Sequence, residues 1–330
     1  MIRGRELFPR MEVYGMKRVA LLCLALSLAL TGCAQGVEIV PIESLSPEKT
    51  AANLFSAQPF ATPEPTDVSP SAARIDAAGM TVATRINPPE GYTRVYAAED
   101  SLGTFLRNYA VRADGAQVLY YNGEIREDAQ AAAVLDISLG SRNHEGPAGA
   151  MARLISEYLY SQQNYADISF TLGSDFDFTF DTWRQGRTIA VDGSSVSWAS
   201  GGEDSNGEEN FRSYLATLFV YISMSTFQED LEQVEDVDGD EIRVGDIFLG
   251  TTADGKKTAL MVADICQSDE TGEKLMLLVQ GGAPAQQLHI VENPGNADLS
   301  PWYPCGFSAD LTTPDASIAI ENRYRYKNFA

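Results

Sequence analysis

Residues 241–302 decide the fold. They contain Arg243-Val-Gly-Asp-Ile-Phe248, where Gly245-Asp246 turns into a predicted strand over 247–250. A polar turn at Asp254-Gly-Lys-Lys257 precedes a second apolar run, Thr258-Ala-Leu-Met-Val-Ala-Asp264. A third run follows at Lys274-Leu-Met-Leu-Leu-Val-Gln280, then Ala283-Pro-Ala-Gln-Gln-Leu-His289. The stretch closes through Asn293-Pro294 at Pro301-Trp302-Tyr303. Short apolar runs separated by Gly, Asp and Lys turns predict an antiparallel β-meander.

Upstream of the meander the periodicity changes. Pro88 and Pro89 exclude helix, so 86–94 is expected to be extended. Ser101 can cap a helix over 102–109, with Phe105, Leu106 and Tyr109 on one face. Val118-Leu-Tyr-Tyr121 followed by Asn122-Gly123 predicts a strand and tight turn. Over 131–139 the second half alternates and is expected to be strand. Residues 147–163 predict a helix: Met151, Leu154, Ile155, Tyr158 and Leu159 recur at three- and four-residue spacing, and Pro147 fits its first position. A strand is expected over 168–172 and a short helix over 178–183. The longest helix is expected over 210–234, rich in Tyr214, Leu218, Phe219, Tyr221, Ile222 and Leu231. Gly193-Ser-Ser-Val196 is expected to be a polar loop. Helices first and a meander last give the α+β class, in one globular domain over 73–330.

The first 72 residues read as targeting and tether. Met16-Lys17-Arg18 supplies a positive region, residues 19–30 an apolar core too short for a comfortable membrane span, and Leu30-Thr-Gly-Cys33 a lipobox. The expectation is a signal peptide over 1–33, with Met16 as the true start and a lipid on Cys33. The protein would then be exported and anchored at the outer side of a bacterial membrane. Residues 34–72, with repeated Pro among Ala, Ser and Thr, are expected to form a flexible tether. Export leaves Cys266 and Cys305 as the two remaining thiols. Outside the cytoplasm they can pair or stay separate, and the spacing leaves both alternatives open.

The formal net charge of −22 argues against nucleic acid as a partner and against adhesion to anionic polymers through a basic field. Much of the acid lies in 203–209 and 229–241, expected to be solvated surface. Asp236-Val-Asp-Gly-Asp-Glu241 resembles a calcium loop only superficially: Gly239 is fourth rather than sixth, and the twelfth position is Ile247. The pattern predicts an acidic turn instead. There is no Gly-x-Ser-x-Gly elbow and no phosphate-cradling glycine loop. The two histidines, His144 and His289, lie far apart in sequence and give weak support for a metal site. No cofactor is expected. Trp302 beside Tyr303 is expected either in the core or lining a groove.

Taken in order, several stretches resemble the bacterial family called domain of unknown function 4846. They are Pro89-Glu-Gly-Tyr-Thr-Arg94, Ala133-Val-Leu-Asp-Ile137, Met151-Ala-Arg-Leu-Ile-Ser-Glu-Tyr-Leu159 and Phe211-Arg-Ser-Tyr-Leu215. Gly245-Asp-Ile-Phe248, Ala283-Pro-Ala-Gln-Gln-Leu-His-Ile290 and Pro301-Trp-Tyr303 complete the set. The layout is in turn similar to the papain-like NlpC/P60 and CHAP hydrolases, which place a cysteine at a helix start and a histidine on a strand. There the helix N-terminus stabilises a thiolate and an imidazole shares its proton. Family members carry Gln-Gln-Cys-Ala-Asp-Ala at the helix start and Pro-Gly-His-Ala on the strand. This chain has Glu145-Gly-Pro-Ala-Gly-Ala150 and Lys256-Lys-Thr-Ala-Leu260, so Pro147 and Thr258 stand at those positions.

Neither residue can replace what it displaces. Pro147 has no nucleophilic atom, and Thr258 takes no proton near neutral pH. Catalytic residues act as a unit, so losing both leaves no cysteine chemistry. Two readings follow from the resemblance. The first is a membrane-tethered accessory lipoprotein whose degenerate cleft between the Pro147 helix and the Thr258 strand binds peptidoglycan or a wall peptide. The second is an active wall or peptide hydrolase that uses other cleft residues: Asp246, Gln280, Gln286 and His289, with Trp302 nearby.

Overall fold

The computed structural model describes residues 74–173, 175–193, 195–235, 242–306 and 310–329. The expected signal peptide with Cys33, the expected 34–72 tether and the expected acidic turn at 236–241 lie outside the described residues. The helices are α1 (Val82–Arg85), α2 (Leu102–Arg107), α3 (Pro147–Ser161), α4 (Phe180–Trp183), α5 (Glu208–Tyr221) and α6 (Met224–Glu229). The early strands are β1 (Tyr92–Arg94), β2 (Ala131–Val134), β3 (Ser169–Leu172), β4 (Phe176–Thr179), β5 (Gln185–Asp192), β6 (Ser195–Asp204) and β7 (Leu231–Gln233). The late strands are β8 (Ile247–Thr251), β9 (Lys257–Ser268), β10 (Lys274–Gln280), β11 (His289–Val291) and β12 (Tyr303–Pro304). Three more follow: β13 (Leu311–Thr312), β14 (Ser317–Ile318) and β15 (Arg323–Tyr326). The class is mixed α and β, with antiparallel sheets.

The predicted meander forms the centre of the main sheet, ordered β2-β11-β10-β9-β8-β15-β7, with β1 added on β9 and β12 on β10. Every pairing in it is antiparallel. The central strands are buried on both faces, which is why they read as unbroken apolar runs rather than as alternations. Strand side chains alternate between faces. Ala259, Met261, Ala263, Leu277 and Val279 enter one apolar cluster with α3 and α5. Leu260, Val262, Met276 and Leu278 enter a second cluster, with Leu311, Ala316 and Ile318 of the C-terminal segment. The helices therefore cover one face of the sheet, and the β13–β14 segment covers the other.

Helix α3 is almost wholly buried. Pro147 occupies its first turn, and Ala150 backs so closely on Gly281 that a Cβ at 281 would lie 2.5 Å from the Ala150 Cβ. The other side of α3 meets Phe219 of α5 across Gly149. Inside this contact, Arg153 pairs with Glu145 at 2.5 Å and Glu157 at 3.4 Å, all three buried. Tyr109 donates its hydroxyl to Glu157 at 2.5 Å. Burial raises both carboxyl pKa values, and the Arg153 charge works against that rise.

The structure corrects several expected elements. The helix expected over 210–234 is broken. Ile222 takes an extended backbone, and Ser223 and Thr226 form a capping box that starts α6. Leu231 to Gln233 then pairs with β15 instead of continuing the helix. In 131–139 the first half is the strand, because β11 pairs with 131–134; Leu135 lies past its end, with an isolated bridge to Val111 and an amide hydrogen bond to the Leu288 carbonyl. Residues 178–183 divide into the end of β4 and helix α4, with Thr179 as the cap. The expected polar loop at Gly193 belongs instead to the long β5–β6 hairpin, whose tip uses Gly193 at φ +61°.

Candidate functional site

The site grows from the C-terminal end of β10. Gln280 is paired with Leu260 of β9 on one side and with His289 of β11 on the other. Its neighbours Leu278 and Val279 alternate between the two clusters, so the Gln280 side chain lies on the face away from α3. Thr258, two residues before Leu260, lies on that face too, as does His289, directly across from Gln280. The C-terminal segment crosses this face and delivers Asp315. The Gln280 Nε2 donates to Asp315 Oδ2 at 2.6 Å and reaches Thr258 Oγ1 at 3.5 Å. Arg126 donates to Asp315 Oδ1 at 2.5 Å and to Asp128 at 3.1 Å.

These residues wall a cavity of about 330 Å³. Its inner wall is Thr258, Gln280, Gln286 and Asp315, and its rim carries Tyr120, Arg126 and the β8–β9 turn with Asp254 and Lys256. Gln286 is placed by its bridge to Tyr120, and Ala285 donates its amide to the Asn143 side chain at 2.7 Å. The Ala283-Pro284 peptide is cis. Gly282 has no Cβ for a steric reason: one would meet the Gln286 amide nitrogen at 2.3 Å.

The electrostatics are balanced. Arg126, Lys256 and Lys257 face Asp128, Asp254 and Asp315 around the cavity, three charges of each sign. Burial works to raise the Asp315 pKa. The hydrogen bond and charge of Arg126 outweigh it and leave the pKa below the ordinary value. His289 behaves oppositely: burial pushes it down to about 4, against the hydrogen bond its Nδ1 makes with the Gln287 carbonyl at 3.0 Å. The imidazole is therefore neutral at physiological pH.

The sequence-predicted residues fall into separate places. Thr258, Gln280 and Gln286 come together around the cavity, with His289 beside Gln280. Pro147 does not join them, because α3 packs on the opposite face of the sheet from Thr258. Asp246 lies before β8, roughly 20 Å of extended strand from Thr252 on the cavity rim. There it accepts from Arg325 at 2.8 Å and is a structural ion pair. Trp302 is wholly buried and donates its indole N–H to the Asn87 carbonyl at 2.9 Å, so it is core and not a groove wall. Cys266 and Cys305 are separate buried thiols, assigned to different apolar clusters and divided by β10. Burial raises both, Cys305 to about 12. His144 sits in the loop before α3, with its Nδ1 buried and unbonded.

Arg126, Asp128 and Asp315 went unrecognised in the sequence. Arg126 and Asp315 are 189 positions apart, and no local pattern marks residues that only the sheet brings together. Among the described residues, no group of His, Cys, Asp and Glu could hold a metal ion, and no helix is long and apolar enough to cross a membrane.

No curated protein and no solved structure matches the chain. The family model described as domain of unknown function (4846) matches residues 82–325, which span the sheet, α3 and the cavity. The chain belongs to that family.

Proposed function

We propose that this chain is a bacterial envelope lipoprotein, held by a lipid on Cys33, which binds a cell-wall fragment in the Thr258–Gln280–Gln286 cavity without cleaving it. One observation carries the reading. Two buried carboxamides front a cavity with no cysteine in its lining, while the chain's remaining thiols are buried elsewhere and held protonated. A thiolate nucleophile needs a lowered pKa and an accessible position, and neither thiol has them.

In this reading the scaffold is papain-like, a helix packed on an antiparallel sheet, with its reactive pair lost. Pro147 and Thr258 carry neither thiol nor imidazole, and they stand on opposite faces of the sheet, so the two positions form no reactive pair here. Because Thr258 faces away from α3, the ligand site is not the ancestral gap between those two residues. It lies on the other face, where Asp315 and Arg126 complete it. The hydrolase alternative draws no support from the geometry, since Asp246 is remote and His289 is 1% exposed and is not among the residues that line the cavity.

Titration calorimetry of purified muropeptides against the full chain, with mass spectrometry of the recovered ligand, tests the proposal. Binding with the ligand intact is expected. No heat with any wall fragment, or recovery of cleaved products, would overturn it.

A further inference from the structure

Gln280 is 2% exposed, and its Oε1 is buried without a hydrogen-bond partner. The orientation of its amide is fixed: Asp315 is a carboxylate acceptor, so the Nε2 must point at it and the Oε1 must point away. An orphaned buried acceptor carries a desolvation cost that a donor from a ligand would remove. Gln286 is 4% exposed and lines the same cavity, and its side-chain amide makes no hydrogen bond among the described residues. Its Nε2 offers donors and its Oε1 an acceptor. All three cavity carboxylates are already paired: Asp315 and Asp128 with Arg126, and Asp254 with Lys256, while the exposed Lys257 reaches the Thr251 hydroxyl at 3.4 Å. A charged ligand would disturb these pairs and lose its own hydration. A neutral group presenting one N–H and one C=O would meet both glutamines without doing either.

We infer that the Gln280–Gln286 cavity recognises a neutral secondary amide, either a peptide unit or the acetamido group of an amino sugar. The inference rests on the proposal that this cavity binds a wall fragment, and it names the chemical group bound there. Gln280 Oε1 accepts the ligand N–H, and the Gln286 Nε2 donates to the ligand carbonyl. The glycine at 282 leaves the room that the Gln286 side chain occupies.

The test uses the full chain labelled with ¹⁵N in its glutamine side chains, in detergent micelles. Gln280→Leu and Gln286→Ala assign the two amide signals. The probes are N-acetylglucosamine, N-acetylalanine methylamide, glucosamine and acetate. The inference expects at least one acetamido probe to shift both signals, and glucosamine and acetate to shift neither. A response to N-acetylglucosamine alone assigns the sugar, and a response to the dipeptide mimic alone assigns the peptide unit. Either variant should weaken muropeptide binding by about tenfold. Gln286→Asn, which keeps the amide, serves if Gln286→Ala fails to fold. If neither amide probe shifts the signals while muropeptides still bind the full chain, the amide inference falls and the binding proposal stands. If muropeptides also fail to bind, both fall.

Discussion

Replacing Arg153 with Met should cost more than any exposed substitution in the chain. Arg153 is 3% exposed and sits between Glu145 and Glu157, each 4% exposed. Its Nε and Nη2 grip Glu145 at 2.7 and 2.5 Å, and its guanidinium lies over the Phe219 ring at 5.2 Å. Met fills most of the volume but leaves two carboxylates buried and facing each other without a cation. Breaking a buried pair from one side costs about 3–5 kcal/mol. For a domain of this size that is a fall in Tm of roughly 6–20 °C. The pH dependence gives a second check. Both carboxyls already have raised folded pKa values, so their penalty is greatest at high pH and fades as pH falls and they protonate. The gap between variant and wild type should therefore narrow on acidification. Combining Arg153→Met with Glu145→Gln and Glu157→Gln should recover most of the loss. Urea denaturation at several pH values measures all of this. A loss below about 1 kcal/mol, or a gap that widens in acid, would refute the argument.

Four further outcomes follow from the same geometry. Between its ordinary value of 6.5 and its folded value of about 4, His289 is protonated in the unfolded chain and neutral in the folded one. Its contribution is complete above the ordinary value and lost as pH falls through that window. His289→Gln should thus reduce the stability lost between neutrality and about pH 4.5 by on the order of 2 kcal/mol, and an unchanged acid limb would contradict this. Gly281→Ala should destabilise the chain by about 1–3 kcal/mol, because its Cβ would press on Ala150 of α3, whereas Gly282→Ala should displace Gln286 and weaken binding. Wild-type thermal stability in the Gly281 variant would count against the close packing of α3 on β10. Iodoacetamide should label Cys266 and Cys305 only in denaturant; a peptide joined by a disulfide between them would contradict the separate thiols. Mass spectrometry of the membrane-extracted protein should find an N-terminus at Cys33 carrying lipid, and an unmodified N-terminus would remove the anchor from the proposal.

The central strands were legible because burial on both faces leaves continuous apolar runs, bounded here by Gly245, Gly255 and Gly272 at positive φ. The start of α3 was legible through Pro147, whose missing N–H costs nothing at a helix's first position. The break after Tyr221 was harder, since Ile222 and Phe227 continue the apolar period across it. Only the Ser223–Thr226 spacing marks the new cap. The β5–β6 hairpin was hidden because its polar tip resembles a loop. The cavity was partly visible: Thr258 stands at the family's histidine position, and Gln280 and Gln286 are among the cleft candidates expected beside it. Their face was not, because it depends on the register that β9, β10 and β11 adopt. Arg126 and Asp315 could not be anticipated, as each reaches the site from a segment without pattern of its own. Asp246 and Trp302 were conspicuous residues that the fold spends on a buried ion pair and on the core.

The most direct test compares two variants in one calorimetric titration with a disaccharide-pentapeptide muropeptide. Gln286→Ala should lose about tenfold in affinity while Pro147→Ala should bind as the wild type does, because the proposed site is on the face away from α3. Binding weakened by Pro147→Ala and untouched by Gln286→Ala would place the ligand at the helix start and rule out the Gln280–Gln286 cavity as its site.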